Sequence, residues 1–195
     1  MTTPEIAHHH GAARADWAAL AVALADPALV EAVDRAGEAV LAALAAGNKV
    51  LVCGNGGSAS MSSHVAAEFA GRCVRDRVPL PAMSLAESST AITAIGNDYG
   101  FEQVFERGVQ AHGRAGDVLI AMSTSGGSAN ILRALDRARE LGLVTIALTG
   151  ARGGRLTAHA DHVLIAPSDY TPRIQEVHLV WTHSWCEAVD HVWNR

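Results

Sequence analysis

Short runs of apolar, β-branched residues alternate with longer amphipathic runs through most of the chain. After two helical patterns at the start, five runs have the length of buried strands, and the segments between them have helical spacing. The predicted strands are 50–53, 82–85, 117–122, 144–148 and 162–165. The predicted helices are 28–46, 58–72, 89–95, 101–112, 128–141 and 172–193. Buried strands separated by helices predict a doubly wound, flavodoxin-like α/β fold with a five-stranded parallel sheet and helices on both faces.

The two helical patterns at the start form an N-terminal extension over residues 1–47. Asp26 and Pro27 suit the N-cap and first turn of a helix, and Gly47 suits its end. The alanine-rich faces of this extension exceed what one small domain needs to cover. We therefore expect a single domain over 1–195 whose extension packs against another subunit. Packing within the chain is the alternative.

The composition is that of an ordinary globular protein, with 195 residues, 49% hydrophobic and 18% charged. A formal net charge of −5 argues against a nucleic-acid partner, and no apolar stretch is long enough to span a membrane. Cys53, Cys73 and Cys186 are odd in number and lack CxxC spacing. With no secretory pattern at the N-terminus, this favours free thiols in a reducing cytoplasm.

Two local clusters are interpreted without a role in chemistry. Arg72, Arg75 and Arg77 form a basic cluster, for which a solvated face is favoured over an anion site. The three histidines at 8–10 are expected to lie in a short polar tail and are excluded from any metal site.

Two turns that follow predicted strands suit an anion best, and a third, residues 149–154, is less distinctive. The glycine turn, residues 54–58, has the sequence Gly-Asn-Gly-Gly-Ser, and its glycines let backbone N–H groups approach a ligand closely. The serine turn, residues 123–128, has the sequence Ser-Thr-Ser-Gly-Gly-Ser and opens a helix. Its hydroxyls and the positive end of the helix dipole suit a phosphate. Ligands of open parallel sheets bind at the carboxyl ends of strands, so a phosphorylated small molecule is expected there.

Each turn also admits a second interpretation. Gly54, Gly56 and Ala59 satisfy the relaxed dinucleotide fingerprint G-x-G-x-x-A, with Glu87 as an acid for a ribose. That match is weak alone and leaves the serine turn without a purpose. For the serine turn, the alternative is a purely structural capping role.

Two segments far apart carry the side chains of a metal-assisted acid–base site. His64 and Glu68 are four residues apart and share one face of a helix. Gln175 and His183 are eight apart, roughly 80° around a helix, so they are expected to converge as well. Imidazole, carboxylate and amide oxygen form a ligand set that suits a zinc-like ion. For a lone histidine, the alternative is a place in the core.

Four further polar residues are weaker candidates. Asn97 and Asp98 follow a predicted helix break at Gly96 and are candidates for binding sugar hydroxyls, with an ordinary turn as the alternative. Glu176 and His178 are interpreted as packing residues or as support for the metal ligands.

Together these motifs resemble the phosphoheptose isomerases, a family built on the sugar isomerase (SIS) domain. The matching segments keep the family's order from about residue 28 onward: 52–59, 64–68, 93–100, 123–126 and 173–178. The resemblance implies isomerisation of sedoheptulose 7-phosphate to D-glycero-D-manno-heptopyranose 7-phosphate by a homotetramer whose active sites lie near subunit contacts. A non-catalytic sugar-phosphate-binding or protein-interaction regulator on the same domain is the alternative.

The resemblance also implies roles residue by residue. The implied zinc ligands are His64, Glu68, Gln175 and His183. The implied substrate contacts are Asn55, Gly56, Gly57, Glu68, Asn97, Asp98, Ser123, Thr124, Ser125, Ser128 and Gln175. In a cis-enediol mechanism we expect Glu68 to act as general base on the carbon-bound proton and His183 to handle the oxygen-bound proton, while the ion polarises the carbonyl.

Two departures from the family's pattern fall at three positions. Met61 and Ser63 stand where members commonly carry Asp and Gln, and the thioether of Met61 removes a charge and an acceptor from the predicted site. Tyr170 replaces a usual Asp, with an acid shifted to Asp169. Both departures bear on which sugar phosphate is the substrate.

Overall fold

A parallel sheet of five strands forms the centre of the protein, as seen in a computed structural model that describes residues 3–194. The strands are β1 (Val50–Gly54), β2 (Ala82–Ser84), β3 (Val118–Ser123), β4 (Val144–Gly150) and β5 (His162–Ala166). Their order in the sheet is β2-β1-β3-β4-β5. Each strand lies close to its predicted bounds, so the predicted fold class is confirmed.

Seven helices surround the sheet in the described part of the chain. They are α1 (Pro4–Ala23), α2 (Pro27–Ala45), α3 (Gly57–Ala70), α4 (Ser89–Tyr99), α5 (Val104–His112), α6 (Ala129–Glu140) and α7 (Thr171–Val192). Successive strand residues point to opposite faces, so Val52 and Ile120 pack under α2, α3 and α7, whereas Leu51 and Leu119 pack under α5 and α6. Two apolar cores therefore cover the two faces of the sheet.

The strand order reverses at β1, because β2 is added on one side of it and β3 on the other. β1 pairs with β2 on one side and with β3 on the other, and Gly54 at the end of β1 is in register with Met122 in β3. The glycine turn and the serine turn therefore begin side by side, at the topological switch point where doubly wound sheets bind ligands.

The first helix begins earlier than the sequence indicated. Thr3 caps α1, its hydroxyl accepting a hydrogen bond from the Ile6 N–H, and Pro4 occupies the first turn. The histidines at 8–10 therefore lie on an exposed helix, and the prediction of a polar tail is wrong. The Thr-Pro pair is itself a helix-start signal that the interpretation overlooked.

The second helix, α2, packs directly on one face of the sheet. Asp26 accepts hydrogen bonds from the N–H groups of Ala28 and Leu29 at 3.0 and 3.1 Å. Val40 is fully buried in the core that covers one face of the sheet. Gly37 meets the Trp185 ring on α7 so closely that a Cβ at this position would overlap it. The α2 part of the extension therefore packs within the chain, and contact of the extension with another subunit stays a prediction.

Helix α4 is continuous where a break was predicted. It runs through Gly96 and ends before Gly100, whose φ of 92° an L side chain rarely adopts. A single glycine inside a helix is tolerated at modest cost, so Gly96 does not interrupt it. Asn97 and Asp98 consequently lie on the last turn of a helix.

The expectations about free cysteines and about membrane-spanning segments can be compared with the described residues. Cys53, Cys73 and Cys186 are all free, as predicted, with Cys53 and Cys186 buried. Among residues 3–194, no helix combines the length and the apolar content that crossing a membrane requires.

Candidate active site

His64, Glu68 and His183 meet where α3 packs against α7, and we call these three residues the acid–base cluster. The Nε2 atoms of the two histidines are 2.9 Å apart, and Oε1 of Glu68 lies 3.5 Å from Nε2 of His64. One donor atom from each of the three lies within 4.8 Å of the others. The structure therefore brings together two segments separated by more than a hundred residues.

The cluster fits a divalent cation. Oε2 of Glu68 is buried and has no hydrogen-bond partner among the described residues. An unpaired buried oxygen carries a desolvation cost that a bound cation would offset. Two imidazole nitrogens and a carboxylate form a donor set of the kind that holds zinc-like ions.

Gln175 lies elsewhere on α7. Its amide atoms are 2.7 to 3.0 Å from the position that a Cβ on Gly57 would take. Gly57 precedes His64 by seven residues, which is about 10 Å along a helix. Within one chain the amide therefore faces the glycine turn, and its convergence with the acid–base cluster stays a prediction.

A pair of asparagines joins the glycine turn to the serine turn. Nδ2 of Asn55 donates to Oδ1 of Asn130 at 3.0 Å, and Nδ2 of Asn130 donates back to Oδ1 of Asn55 at 2.8 Å. Asn130 is buried in the first turn of α6. Sequence reasoning missed Asn130, although a polar residue two positions after the serine turn was a usable signal. The pair fixes Asn55 beside the predicted phosphate site.

The serine turn gathers hydroxyl groups at the start of α6. The hydroxyls of Ser123 and Ser128 are 3.0 Å apart, and Ser128 occupies the N-cap position. The N–H of Gly127 lies 3.4 Å from the Ser125 hydroxyl, whereas Thr124 is half-buried. Hydroxyls and free N–H groups at a helix N-terminus are suited to an anion.

Asn97 and Asp98 lie apart from these turns. Both are exposed on α4, and Asn97 donates to the Asp98 carboxylate at 2.7 Å. A cleft of about 170 Å³ separates the glycine turn from α4, and Gly56, Ile92 and Phe101 are among its lining residues. Asn97 and Asp98 therefore lie on the helix that borders this cleft but are not among the residues that line the cleft.

A buried ion pair holds the two helices of the acid–base cluster together. Arg77 donates from Nε to Asp190 on α7 at 2.8 Å, and from its other nitrogens to the carbonyls of Glu68 and Phe69 at the end of α3. The solvated face predicted for the basic cluster is therefore wrong at Arg77. A helix end leaves carbonyls without partners, and the planar guanidinium satisfies two of them at once.

Asp190 also organises the loop between α3 and β2. Its carboxylate accepts hydrogen bonds from the backbone N–H groups of Cys73, Val74 and Arg75 at 3.0, 2.6 and 2.9 Å. Burial opposes the charged form, but these donors and Arg77 outweigh it and hold the pKa of Asp190 below its usual value. Asp190 therefore stays ionised.

The surroundings of Glu68 include Cys73, whereas Met61 lies two turns earlier on the same helix. Burial, followed by the charge of Glu68, raises the pKa of the Cys73 thiol to about 11. The neutral thiol is therefore the favoured form near pH 7. Met61 is half-buried and packs against the core of α3 and α7.

The packing role predicted for Glu176 and His178 agrees with their contacts, and support for the metal ligands stays a prediction. Glu176 accepts hydrogen bonds from Trp17 on α1 and from Arg173, at 2.5 and 2.7 Å. His178 is fully buried and donates from Nε2 to the Thr149 carbonyl at 3.1 Å. Burial lowers the pKa of His178 to about 4, so the ring is neutral near pH 7. These contacts fix α7 against α1 and β4.

Comparison with known proteins identifies the family. The SIS domain matches residues 18–150. A phosphoheptose isomerase of Rhodospirillum rubrum is 50% identical over 164 residues, which cover 84% of this chain and 85% of that protein. Structures of phosphoheptose isomerases from Neisseria gonorrhoeae and Francisella tularensis match with TM-scores of 0.84 and 0.88 and identities of 40% and 36%. These matches cover 96% and 98% of this chain and 97% and 100% of those chains. The chain therefore belongs to the phosphoheptose isomerase family of SIS-domain enzymes.

Proposed function

We propose that this protein converts sedoheptulose 7-phosphate to D-glycero-D-manno-heptopyranose 7-phosphate through an enediol. The observation that carries this proposal is the meeting of His64 and Glu68, on the helix that follows the glycine turn, with His183 on α7. A ketose–aldose isomerase needs a base, a second proton carrier and a grip on the phosphate. This chain has candidates for all three on neighbouring elements, which favours catalysis over a regulator that only binds sugar phosphates.

The two turns are assigned to the substrate. The serine turn binds the phosphate through its hydroxyls and the positive end of α6. Asn55, Gly56 and Gly57 bind the sugar chain from the glycine turn, and the Gln175 amide lies against the same turn. This location supports a substrate contact for Gln175 more directly than a role as metal ligand within the same chain. Asn97 and Asp98 stay proposed contacts of the sugar hydroxyls.

The acid–base cluster is assigned to the proton transfers. Glu68 takes the proton from C1 of the ketose and returns it to C2, so that no net oxidation occurs. His183 moves the proton between the two oxygens of the enediol. An oxygen of Glu68 with no hydrogen-bond donor among the described residues is free to accept a proton.

We assign Zn²⁺ to the acid–base cluster, with His64, Glu68 and His183 as its ligands in one chain. When bound, the ion would supply Lewis-acid polarisation of the substrate carbonyl. Independently of the ion, the partial burial of Glu68 where α3 meets α7 reduces the access of water to the transferred proton.

The proposal also includes assembly as a homotetramer in the cytoplasm. Its active sites lie near subunit contacts, and the extension at 1–47 contributes to those contacts. It is supported by α4, which has no buried residue in the single chain, and by exposed apolar side chains next to it at Met83, Tyr99 and Phe101. Light scattering of the purified protein after size exclusion measures the mass; a monomer at micromolar concentration would contradict the tetramer.

The activity is tested by incubating the protein with sedoheptulose 7-phosphate and following the aldose by NMR. We expect product with the isolated protein, loss of turnover after chelation, and recovery on adding Zn²⁺. Unphosphorylated sedoheptulose is the control and should react far more slowly. Failure to form aldose under every metal condition would reject the isomerase proposal and favour a binding protein.

A further inference from the structure

The loop after β4 presses against the serine turn through glycines. A Cβ added to Gly126 would overlap the Cα of Gly153, and the N–H of Gly150 donates to the Thr124 carbonyl at 3.2 Å. Gly126 also has a φ of +67°, which an L side chain rarely adopts. Only residues without side chains permit this approach, so the two loops form one surface.

This contact brings an arginine to the predicted phosphate site. Nη1 of Arg155 is 3.9 Å from the position that a Cβ on Gly127 would take. The next residue, Leu156, is fully buried and anchors the loop. Arg155 thus projects from a fixed point beside the serine turn, and its side chain is exposed to an incoming ligand.

A neighbouring arginine provides a contrast. Arg152 lines a cleft together with Thr124 and Ser125, but it is ion-paired with Asp169 at 2.6 Å. Within residues 3–194, the side chain of Arg155 has no ion-pair partner and makes no side-chain hydrogen bond. The charge of Arg152 is therefore compensated by a carboxylate, whereas that of Arg155 is available to a ligand.

We propose that Arg155 determines specificity for phosphorylated sugars by binding the phosphate dianion held in the serine turn, an inference that rests on the proposed function. The hydroxyls and N–H groups of the turn are neutral donors, and the chain carries a net charge of −5 that repels a dianion. A guanidinium matches phosphate geometry and forms charge-assisted hydrogen bonds with it.

The position of Arg155 separates binding from chemistry. It lies beside the serine turn, whereas the proton transfers are assigned to α3 and α7. Its contact with phosphate is the same in the ground state and in the transition state, so its loss should raise KM and leave kcat unchanged.

The experiment compares the wild type with Arg155→Gln, Arg155→Lys and Arg35→Gln. Arg35 is an exposed arginine on α2 paired with Glu31, so Arg35→Gln removes one charge far from the serine turn. For sedoheptulose 7-phosphate we expect Arg155→Gln to raise KM about tenfold with kcat within about twofold. Arg155→Lys should recover part of the loss, because it restores a charge but not the planar fork. Arg35→Gln should match the wild type.

Calorimetric binding of inorganic phosphate gives a second readout that needs no turnover. If Arg155→Gln is the only variant that binds phosphate more weakly, the inference is supported. If the wild type binds phosphate through Arg155 but does not convert the sugar, the proposed function is rejected and the role of Arg155 is retained. Unchanged KM and unchanged phosphate affinity in Arg155→Gln would overturn the inference about Arg155. So would a fall in kcat at constant KM, or equal effects of Arg155→Gln and Arg35→Gln.

Discussion

The two ends of the candidate site are built in different ways. The phosphate end consists of turns at the carboxyl ends of β1 and β3, where hydroxyls and N–H groups of consecutive residues face the same space. The acid–base end consists of side chains from the middle of two helices that meet only because α3 and α7 pack together. The first is a local property of the chain, whereas the second depends on the distance between two helices.

This difference predicts different responses to mutation. Several weak donors share the phosphate, so losing one should reduce binding by degrees. At the acid–base end each side chain has a distinct task, and the buried pair of Arg77 and Asp190 sets the spacing of the helices that carry them. Substitutions at the acid–base end should therefore have larger effects, and they should lower both the stability and the activity.

The largest expected effect is that of Glu68→Gln. If proton transfer limits turnover, removing the base should lower kcat about 10²–10⁴-fold while the phosphate end still binds the sugar. Steady-state kinetics with measured zinc content would separate loss of the base from loss of the ion. Near-normal turnover in the variant would exclude Glu68 as the base.

The buried ion pair should contribute most to stability. Arg77→Met leaves the carboxylate of Asp190 buried without its cation, and we expect a loss of about 3–5 kcal/mol in the free energy of unfolding. Urea denaturation measures it. Arg35→Met is the matched control at an exposed ion pair and should change this free energy by about 0.5 kcal/mol or less. Equal losses in the two variants would contradict the assigned role.

His178 lies on α7 between the two ends and should make stability depend on pH. Its pKa of about 4 in the folded state lies below the ordinary histidine value of 6.5, so the unfolded state binds more protons between these pH values. The stability due to the neutral ring is therefore fully present above pH 6.5 and falls by about 3 kcal/mol as the pH drops to 4.

Urea denaturation at several pH values tests this in the wild type and in His178→Gln, which keeps a donor but does not titrate. The variant should lack this part of the pH dependence. The matched control is His191→Gln, at an exposed position near the end of α7, which should retain it. Parallel curves for all three proteins would rule out His178 as the source.

The smallest effect is expected for Asn130→Ala at the phosphate end. It removes both hydrogen bonds of the Asn55–Asn130 pair, which should cost about 1–2 kcal/mol of stability and raise KM several-fold. The change in kcat should be smaller, because the acid–base end is untouched. A loss of kcat comparable to that of Glu68→Gln would show that the two ends are not separable in this way.

Several features of the site could be predicted from local patterns. The strands and helices follow from the periods of two and 3.6 residues, which depend only on neighbours along the chain. The serine turn was identified because its hydroxyls are consecutive, and His64 and Glu68 because one helical turn places them on the same face. The pairing of His183 with them was an expectation that a single helix could not establish.

Other features were out of reach because they depend on how elements are placed against one another. Arg77 was interpreted as solvated because its burial results from the closing of a loop over Asp190, 113 residues away in sequence. The contact of Gln175 with the glycine turn is set by the rise along α7 relative to α3, which the angle around one helix does not give. Asn130 gained a role only through a partner on another turn.

The amino-acid pattern by itself determined the order of strands and helices, the two turns proposed to bind an anion and the types of side chain available for acid–base chemistry. These properties depend on backbone geometry within one element and on the chemistry of single residues. Only the tertiary structure decided which side chains share a point in space, which arginine is buried and which one faces the serine turn. Those outcomes depend on the packing distance and relative shift of elements far apart in the chain, which no local period encodes.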